Sequence, residues 1–146
     1  QLCNASTQDS MVFYAIESRI NKIGWSLKNF NDCLSGNYIC KKLCVNKKII
    51  GYLIVQDIVD ECHILNIGID VDAQRKGYGQ YLMSDLLKIC HQKSHSIIML
   101  EVRESNEKAQ NFYRKNGFYE IGFRKNYYPM RKNHKREAAI LMAKYL

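Results

Sequence analysis

The stretch NIGIDVDAQRKGYGQ, residues 66–80, decides the fold of this chain. Apolar Leu65, Ile67 and Ile69 alternate with other residues, which predicts a strand that ends at Ile69 with these three side chains on one face. Beyond the second glycine, apolar residues recur every three or four positions and predict a helix over 79–92. A strand that passes through a glycine-containing turn into a helix is typical of one half of a βαβ unit.

The turn itself, Gln74-Arg75-Lys76-Gly77-Tyr78-Gly79, has the properties of an anion-binding site. Two glycines allow the backbone to turn tightly, so that several N–H groups at the helix N-terminus can converge on one anion. Arg75 and Lys76 add positive charge beside them. The turn lacks the Gly-Lys-Ser/Thr of a Walker A loop and the third glycine of a dinucleotide fingerprint. Taken alone, the turn is equally typical of a strand-to-helix connection that binds no anion.

The rest of the chain predicts one domain in which helices cover a single sheet. Apolar spacings of three and four predict helices, and alternating or continuous apolar runs predict strands. The predicted elements are a helix from Ser10 to near Gly24, a shorter helix from Trp25 to Ser35, strands over 38–45, 49–56 and 63–69, a helix over 79–92, a strand over 97–102, a helix over 106–115 and strands over 119–124 and 137–143.

This order of elements predicts an α+β fold of mixed α/β character, with residues 1–146 in one domain. The short connection at 46–48 favours an antiparallel hairpin, and the strand, helix and strand between 63 and 102 favour a βαβ crossover. We therefore expect a central, mostly antiparallel sheet with a βαβ core and a C-terminal β hairpin.

The composition is that of a folded protein with anionic partners. Of 146 residues, 47% are hydrophobic and only one is proline, which excludes the disordered, collagenous and linker-rich classes. The formal net charge is +8, and nucleic acid, a phosphorylated cofactor or a membrane surface would each fit it. No apolar run approaches the roughly 20 residues of a membrane span, so we expect a soluble, cytoplasmic protein, and we expect no membrane partner.

The six cysteines are expected to be reduced thiols. The chain opens without an apolar leader segment, so a cytoplasmic location is expected. Zinc sites usually pair ligands that are close in sequence, and the nearest approach is Cys40-Lys-Lys-Leu-Cys44 in a predicted strand. The sequence therefore predicts no metal site, and Cys90 is expected to pack in the apolar stripe of its helix.

Three segments resemble a known family. Residues 66–80 resemble motif A of the GNAT acetyltransferases, whose Arg/Gln-x-x-Gly-x-Gly/Ala loop holds the pyrophosphate of acetyl-CoA. The run Leu100-Glu-Val-Arg-Glu-Ser-Asn106, with Phe112-Tyr113 and Asn116-Gly117-Phe118 after it, resembles the second signature of the family. The run Arg124-Lys-Asn-Tyr-Tyr-Pro129 resembles the RimI-type subfamily, which acetylates the N-terminal alanine of a small-subunit ribosomal protein.

The resemblance implies a direct transfer from acetyl-CoA to an amine within a ternary complex. It implies Glu101 as general base, through water, and Tyr113 as general acid. A carboxylate is ionised at neutral pH, and a tyrosine with a pKa of about 10 keeps its proton until a thiolate of pKa about 8.5 is forming. The implied cofactor-binding residues, among which the Ile69 N–H would stabilise the oxyanion, are Ile67, Gly68, Ile69, Arg75, Lys76, Gly77, Tyr78, Gly79, Gln80 and Asn106.

The same resemblance implies a peptide acceptor, the N-terminus of a ribosomal protein, with Trp25, Tyr127 and Tyr128 on the substrate side. An α-amine with a pKa of about 7.7 to 8 is roughly a tenth neutral at pH 7, so a modest base suffices. A lysine, a small amine or the amino group of aminoacyl-tRNA stays open as the acceptor, because a desolvated site can lower the pKa of an amine.

A basic run between residues 124 and 136 leaves a further alternative open. Such a run is usually a solvated loop, but it could contact RNA on the ribosome or on a charged tRNA. A non-catalytic nucleic-acid-binding module would leave the glycine turn, Glu101 and Tyr113 without a shared purpose. We expect a monomer. The basic residues of the run are Arg124, Lys125, Arg131, Lys132, Lys135 and Arg136.

Overall fold

A computed structural model describes residues 1–129 and 136–146. Its helices are α1 (Ser10–Ile20), α2 (Leu27–Ser35), α3 (Tyr78–Gln92) and α4 (Glu107–Lys115). Its strands are β1 (Leu2–Asn4), β2 (Ile39–Val45), β3 (Lys48–Ile58), β4 (Glu61–Ile69), β5 (Ile97–Arg103), β6 (Tyr119–Pro129) and β7 (Arg136–Tyr145). Across these two ranges, every helix is too short or too polar to cross a bilayer.

The seven strands form one sheet in the order β1-β2-β3-β4-β5-β7-β6. Every neighbouring pair is antiparallel except β4 and β5, which are parallel and are joined by α3 in the βαβ crossover. The strands β6 and β7 form the C-terminal hairpin. The predicted mixed α/β fold with a mostly antiparallel sheet is confirmed.

The helices cover both faces of the sheet and bury two apolar clusters. One cluster joins α3 and α4 to the sheet through Leu82, Leu86, Cys90, Ile98, Leu100 and Tyr113, among others. The other joins α1 and α2 to the opposite face through Phe13, Ile16, Phe30, Cys40, Tyr52 and Ile54. A central strand buried on both faces reads as a continuous apolar run, which explains the sequence of β3.

The prediction that Leu65, Ile67 and Ile69 share one face is wrong. A β-bulge breaks the register between β3 and β4, because Ile54 lies opposite Asn66 while Val55 lies opposite Ile64. The bulge leaves Leu65 as an extra residue. Its side chain packs with the α1 and α2 cluster, whereas Ile67 and Ile69 pack with the α3 cluster. One inserted residue reverses the alternation of a strand.

Other boundaries also differ from the prediction. The first helix ends at Ile20 rather than near Gly24, because Asn21 is extended and the chain leaves the helix there. The strand β1 was not predicted, because three residues are too few to show an alternation of apolar and polar side chains. It pairs with β2, with Leu2 opposite Leu43. The hairpin strands β6 and β7 are both longer than their alternation indicated.

Candidate active site

The strands β4 and β5 separate, and a cleft opens where they do. Their parallel ladder runs from Glu61 opposite Ile97 to Ile64 opposite Leu100. Beyond Ile64 and Leu100 the two strands no longer pair, although β4 continues to Ile69 and β5 to Arg103. A cleft of about 530 Å³ lies there, lined by the end of β4, the turn into α3, the inner side of α4 and the end of α1. The bulge at Leu65 sits at the point of separation.

The backbone of β4 presents polar groups to this cleft. The Asp70 N–H donates to the Ile50 C=O at 2.8 Å, toward β3. Because successive strand residues direct their N–H groups to opposite edges, the Ile69 N–H is directed to the edge that β5 has left. The Ile69 C=O accepts from Gln74 Nε2 at 2.9 Å, which ties the strand end to the turn. The oxyanion role of the Ile69 N–H stays a prediction.

The turn into α3 forms the second wall of the cleft. Gly77 precedes the helix with φ 85° and ψ 5°, a left-handed conformation that glycine adopts without strain. The first helical bond runs from the Tyr81 N–H to the Gly77 C=O at 3.0 Å. The N–H groups of Tyr78, Gly79 and Gln80 therefore precede the helical ladder, and with the helix dipole they favour an anion.

Nine of the ten predicted cofactor-binding residues line the cleft. Lys76 is the exception, since it is exposed and is not among the lining residues. The Asn106 side chain also caps α4 by accepting from the Ala109 N–H at 3.2 Å. The nine lining residues are Ile67, Gly68, Ile69, Arg75, Gly77, Tyr78, Gly79, Gln80 and Asn106.

Two cations of the cleft were missed by the sequence reasoning. Lys108 and Lys115 on α4 line it beside Arg75. The Lys108 ammonium donates to Gln74 Oε1 at 2.8 Å, which links α4 to the turn. The two lysines are two helical turns apart and so share one face of α4, a spacing that could have marked them.

Tyr113 lies in the wall of the cleft with its ring in the α3 and α4 core. Its side chain packs edge to face against Phe112, with ring centroids 5.5 Å apart, and the residue is 7% exposed. Among residues 1–129 and 136–146, no group hydrogen-bonds its hydroxyl, which leaves that hydroxyl available to a ligand. Burial, with a smaller contribution from Tyr128, raises the pKa of Tyr113 well above its usual value.

Glu101 lies on the other face of the sheet. Leu100 and Val102 of β5 are buried toward α3, so Glu101 between them points to the side of α1 and α2. Its carboxylate pairs with the guanidinium of Arg124 at 3.3 Å and is 27% exposed. The predicted base and acid are therefore on opposite sides of the sheet, next to the gap between β4 and β5.

Tyr128 interacts electrostatically with both predicted catalytic residues, Glu101 and Tyr113. Burial raises its pKa to about 12, and the charges of Glu101 and Tyr127 act in the same direction. Tyr128 in turn contributes to the raised pKa of Tyr113. The guanidinium of Arg103 lies 4.5 Å from the centre of the Tyr128 ring. Tyr127 is 41% exposed and its ring lies 5.2 Å from the Arg124 guanidinium.

The segment that carries Trp25 is held by a buried carboxylate, Glu17. Glu17 is 3% exposed and accepts the Trp25 N–H at 3.0 Å and the Tyr52 hydroxyl at 2.6 Å. The side-chain amides of Asn21 and Asn66 also donate to it, each at 3.1 Å. A carboxylate only accepts, so four converging donors satisfy it without a cation. A glutamate on the apolar face of α1, beside Phe13 and Ile16, is the sequence signal that marks it.

Two further contacts shape this side of the sheet. The Arg103 guanidinium donates to the Ile23 C=O at 3.1 Å, which holds the α1–α2 segment to β5. A Cβ on Gly68 would lie 2.6 Å from the Tyr52 hydroxyl, so glycine there keeps Tyr52 bonded to Glu17. The Trp25 ring packs at 5.2 Å from Phe30 and is half-buried. The predicted substrate-side tryptophan thus belongs to a fixed segment.

The basic run is only partly within the described residues. Arg131, Lys132 and Lys135 lie outside them. Arg124 is paired with Glu101, and Arg136 donates to the Tyr127 C=O at 3.1 Å. Arg124 therefore contacts the predicted base, whereas Arg136 contacts the backbone of a flanking tyrosine.

Comparisons with known proteins agree with this geometry. The model of the Acetyltransferase (GNAT) family matches residues 3–118. A ribosomal protein bS18-alanine N-acetyltransferase of Haemophilus influenzae is 38% identical over 133 residues, 91% of this chain and 90% of the relative. The crystal structure of the ribosomal-protein-S18-alanine N-acetyltransferase from Escherichia coli superposes with a TM-score of 0.90 at 34% identity, over 99% of this chain and 92% of that chain. A GNAT acetyltransferase from Elizabethkingia anophelis, solved with acetyl-CoA bound, shares the fold at a TM-score of 0.74 and 22% identity, over 83% of this chain and 84% of that chain.

Proposed function

The chain belongs to the GNAT acetyltransferase family, and from that premise we propose that it acetylates the N-terminal alanine of a small-subunit ribosomal protein. The observation that carries this proposal is the gap between β4 and β5. It joins a cation-lined cleft on one face of the sheet to Glu101 on the other. Two relatives at 38% and 35% identity are named for bS18-alanine N-acetylation.

The residues of the cleft fit acetyl-CoA. The amides at the start of α3 and the side chains of Arg75, Lys108 and Lys115 would hold the pyrophosphate and the other phosphate of the cofactor. The backbone of residues 67–69 would run beside the pantetheine arm. When bound, acetyl-CoA supplies an acetyl group already activated as a thioester.

Two side chains would handle the protons of the transfer. The Glu101 carboxylate would accept a proton of the acceptor amine through water, on the face where Arg124, Tyr127 and Tyr128 form the wall. The Tyr113 hydroxyl, on the face of the cleft, would act as general acid and give its proton to the leaving sulfur. The Ile69 N–H is directed into the gap between them and would stabilise negative charge on the carbonyl oxygen.

The acceptor site favours a peptide terminus. Glu17 and Arg103 fix the α1–α2 segment against the sheet, on the same face as Glu101. An α-amine needs only a modest base, whereas a lysine amine with a pKa of about 10.4 is almost wholly protonated at pH 7. A carboxylate base such as Glu101 therefore suits the α-amine.

An acceptor panel tests this proposal. The full chain is given acetyl-CoA with peptides that begin with alanine and carry a bS18 sequence, with lysine peptides whose N-terminus is blocked, with small amines and with aminoacyl-tRNA, while thiol release is followed. We expect kcat/KM for the alanine peptide to exceed that for the blocked lysine peptide at least about 100-fold, which reflects their neutral fractions. Release with lysine or aminoacyl-tRNA alone would reassign the acceptor. No release with any acceptor would contradict the enzyme proposal.

The Gly79→Val variant tests the cofactor site separately. A Cβ at Gly79 would meet only the Phe112 ring at 3.4 Å, an ordinary contact, so the fold should tolerate the change. The valine methyl groups would occupy the approach to the first amides of α3, and we expect the Kd for acetyl-CoA, measured by calorimetry, to rise at least about tenfold. Gly122→Val is the matched control, since an added Cβ there meets nothing within 4 Å. Equal affinity in the two variants would remove this turn from the cofactor site.

A further inference from the structure

A second cluster of reactive side chains lies at the other end of the βαβ unit from the cleft. Cys62 is at the start of β4, Cys90 is in the last turns of α3, and His95 is in the connection to β5. All three residues are buried. The two sulfur atoms and a ring nitrogen of His95 all lie within 4.8 Å of one another. The proposed acetyl transfer uses none of them.

The His95 ring is oriented for a ligand on one side. Its Nε2 lies 2.6 Å from Asp57 Oδ1, and the Asp57 carboxylate also pairs with Lys93 at 3.2 Å. Its Nδ1 is buried and has no hydrogen-bond partner in the part of the chain that the structure describes. In the neutral ring, a proton on Nε2 shared with Asp57 leaves the Nδ1 lone pair as the potential metal ligand. Metal-binding histidines commonly have this arrangement, in which the second ring nitrogen donates to a carboxylate.

We propose that Cys62, Cys90 and His95 form a structural zinc site. Two sulfur ligands and one imidazole nitrogen are a ligand set that Zn²⁺ prefers. In a tetrahedral site with bonds of about 2.3 Å to sulfur and 2.0 Å to nitrogen, ligand atoms are roughly 3.5 to 3.8 Å apart. Separations of up to 4.8 Å therefore need a contraction on the order of 1 Å, and one water molecule would be the fourth ligand.

The charges of such a site balance. Binding displaces one proton from each thiol, so two thiolates and a neutral imidazole surround a doubly positive ion. The coordinated unit has no net charge, which removes most of the cost of placing an ion in the core. The negative charge of Asp57 beside it is already offset by Lys93. No oxidant or reductant is required.

The site would join three parts of the crossover. Cys62 belongs to the sheet, Cys90 to α3 and His95 to the connection that leads into β5. The expectation that the chain holds no metal came from ligands that are close in sequence, and Cys62 is distant from the other two. Only the βαβ crossover brings it to them. The ion would bind the folded chain and not the unfolded one, and so stabilise it.

Metal content after refolding tests this proposal without reference to catalysis. The full chain is unfolded in denaturant with a reductant and a chelator, then refolded with one equivalent of ZnCl₂ or CoCl₂ and desalted. We expect one zinc per chain, and a sulfur-to-cobalt charge-transfer band in the near ultraviolet for the cobalt form. At a hundredfold excess of zinc over its Kd, the Tm should rise by roughly 5–10 °C.

Three alanine variants complete the experiment. Cys62→Ala and Cys90→Ala should each weaken zinc binding at least about 100-fold and abolish the cobalt band. Cys44→Ala, whose thiol is outside the cluster, should keep both. Circular dichroism checks that each variant folds. Failure of the wild-type chain to retain zinc or to give the cobalt band would overturn the proposal, as would equal retention by Cys90→Ala. The wild-type result stands even where a variant does not fold.

Discussion

The Glu101→Gln variant is expected to turn over about 10²–10⁴ times more slowly than the wild-type enzyme, with the Kd for acetyl-CoA nearly unchanged. Glutamine has the size of glutamate and can still accept a hydrogen bond from Arg124, so the wall of the site is retained. It cannot take up a proton from the acceptor amine. The measurement is kcat for the alanine peptide at saturating acetyl-CoA, with cofactor affinity measured by calorimetry.

Glu120→Gln is the matched control for this change. Glu120 is exposed on β6 and is the same residue type, so its replacement should leave kcat within about twofold. If Glu101→Gln turned over as fast as this control, Glu101 would be only the ion-pair partner of Arg124. The comparison separates a role in proton transfer from a role in linking β6 to β5 across β7.

The sequence predicts much of the fold, because most helices and strands are marked by residues that are contiguous in the chain. The β2–β3 hairpin is an example, since Asn46 and Lys47 both have positive φ, 51° and 67°, and form the two-residue turn that joins alternating strands. The bulge at Leu65 was not predictable in this way. It depends on the register between β3 and β4, which a periodicity within one strand does not contain.

The candidate site likewise has one part that the sequence predicts and another that only the tertiary structure shows. The turn into α3 is predictable because six consecutive residues, 74–79, form it, although Lys76 is exposed between Arg75 and Gly77, which both have positive φ. Glu17 and Lys108 are far from that turn in sequence. Each reaches the site only when α1 and α4 pack against the sheet, so only the tertiary structure shows them. The pairing of Arg124 with Glu101 likewise requires the β5, β7 and β6 order of strands.

Replacement of Tyr113 by phenylalanine is expected to lower kcat by about 10²–10⁴ while the fold and the Kd for acetyl-CoA stay near those of the wild type. The ring sits in the core beside Phe112 and Phe118, and phenylalanine fills the same space. Only the hydroxyl is lost. No described residue hydrogen-bonds this hydroxyl, so its removal leaves no buried partner unsatisfied. A loss of kcat is therefore due to the reaction and not to a damaged fold.

The pH dependence distinguishes this role from packing. Burial raises the pKa of Tyr113, so its hydroxyl keeps its proton in the folded protein beyond the usual value of about 10. The wild-type kcat should therefore show no loss attributable to this group as pH rises from about 7 to 9, and the Tyr113→Phe deficit should stay constant over that window. Phe112→Leu, a change in the neighbouring ring, serves as the control for packing. A deficit in Tyr113→Phe no greater than in Phe112→Leu would assign Tyr113 to the core, whereas a larger and pH-independent deficit would assign its hydroxyl to the leaving sulfur.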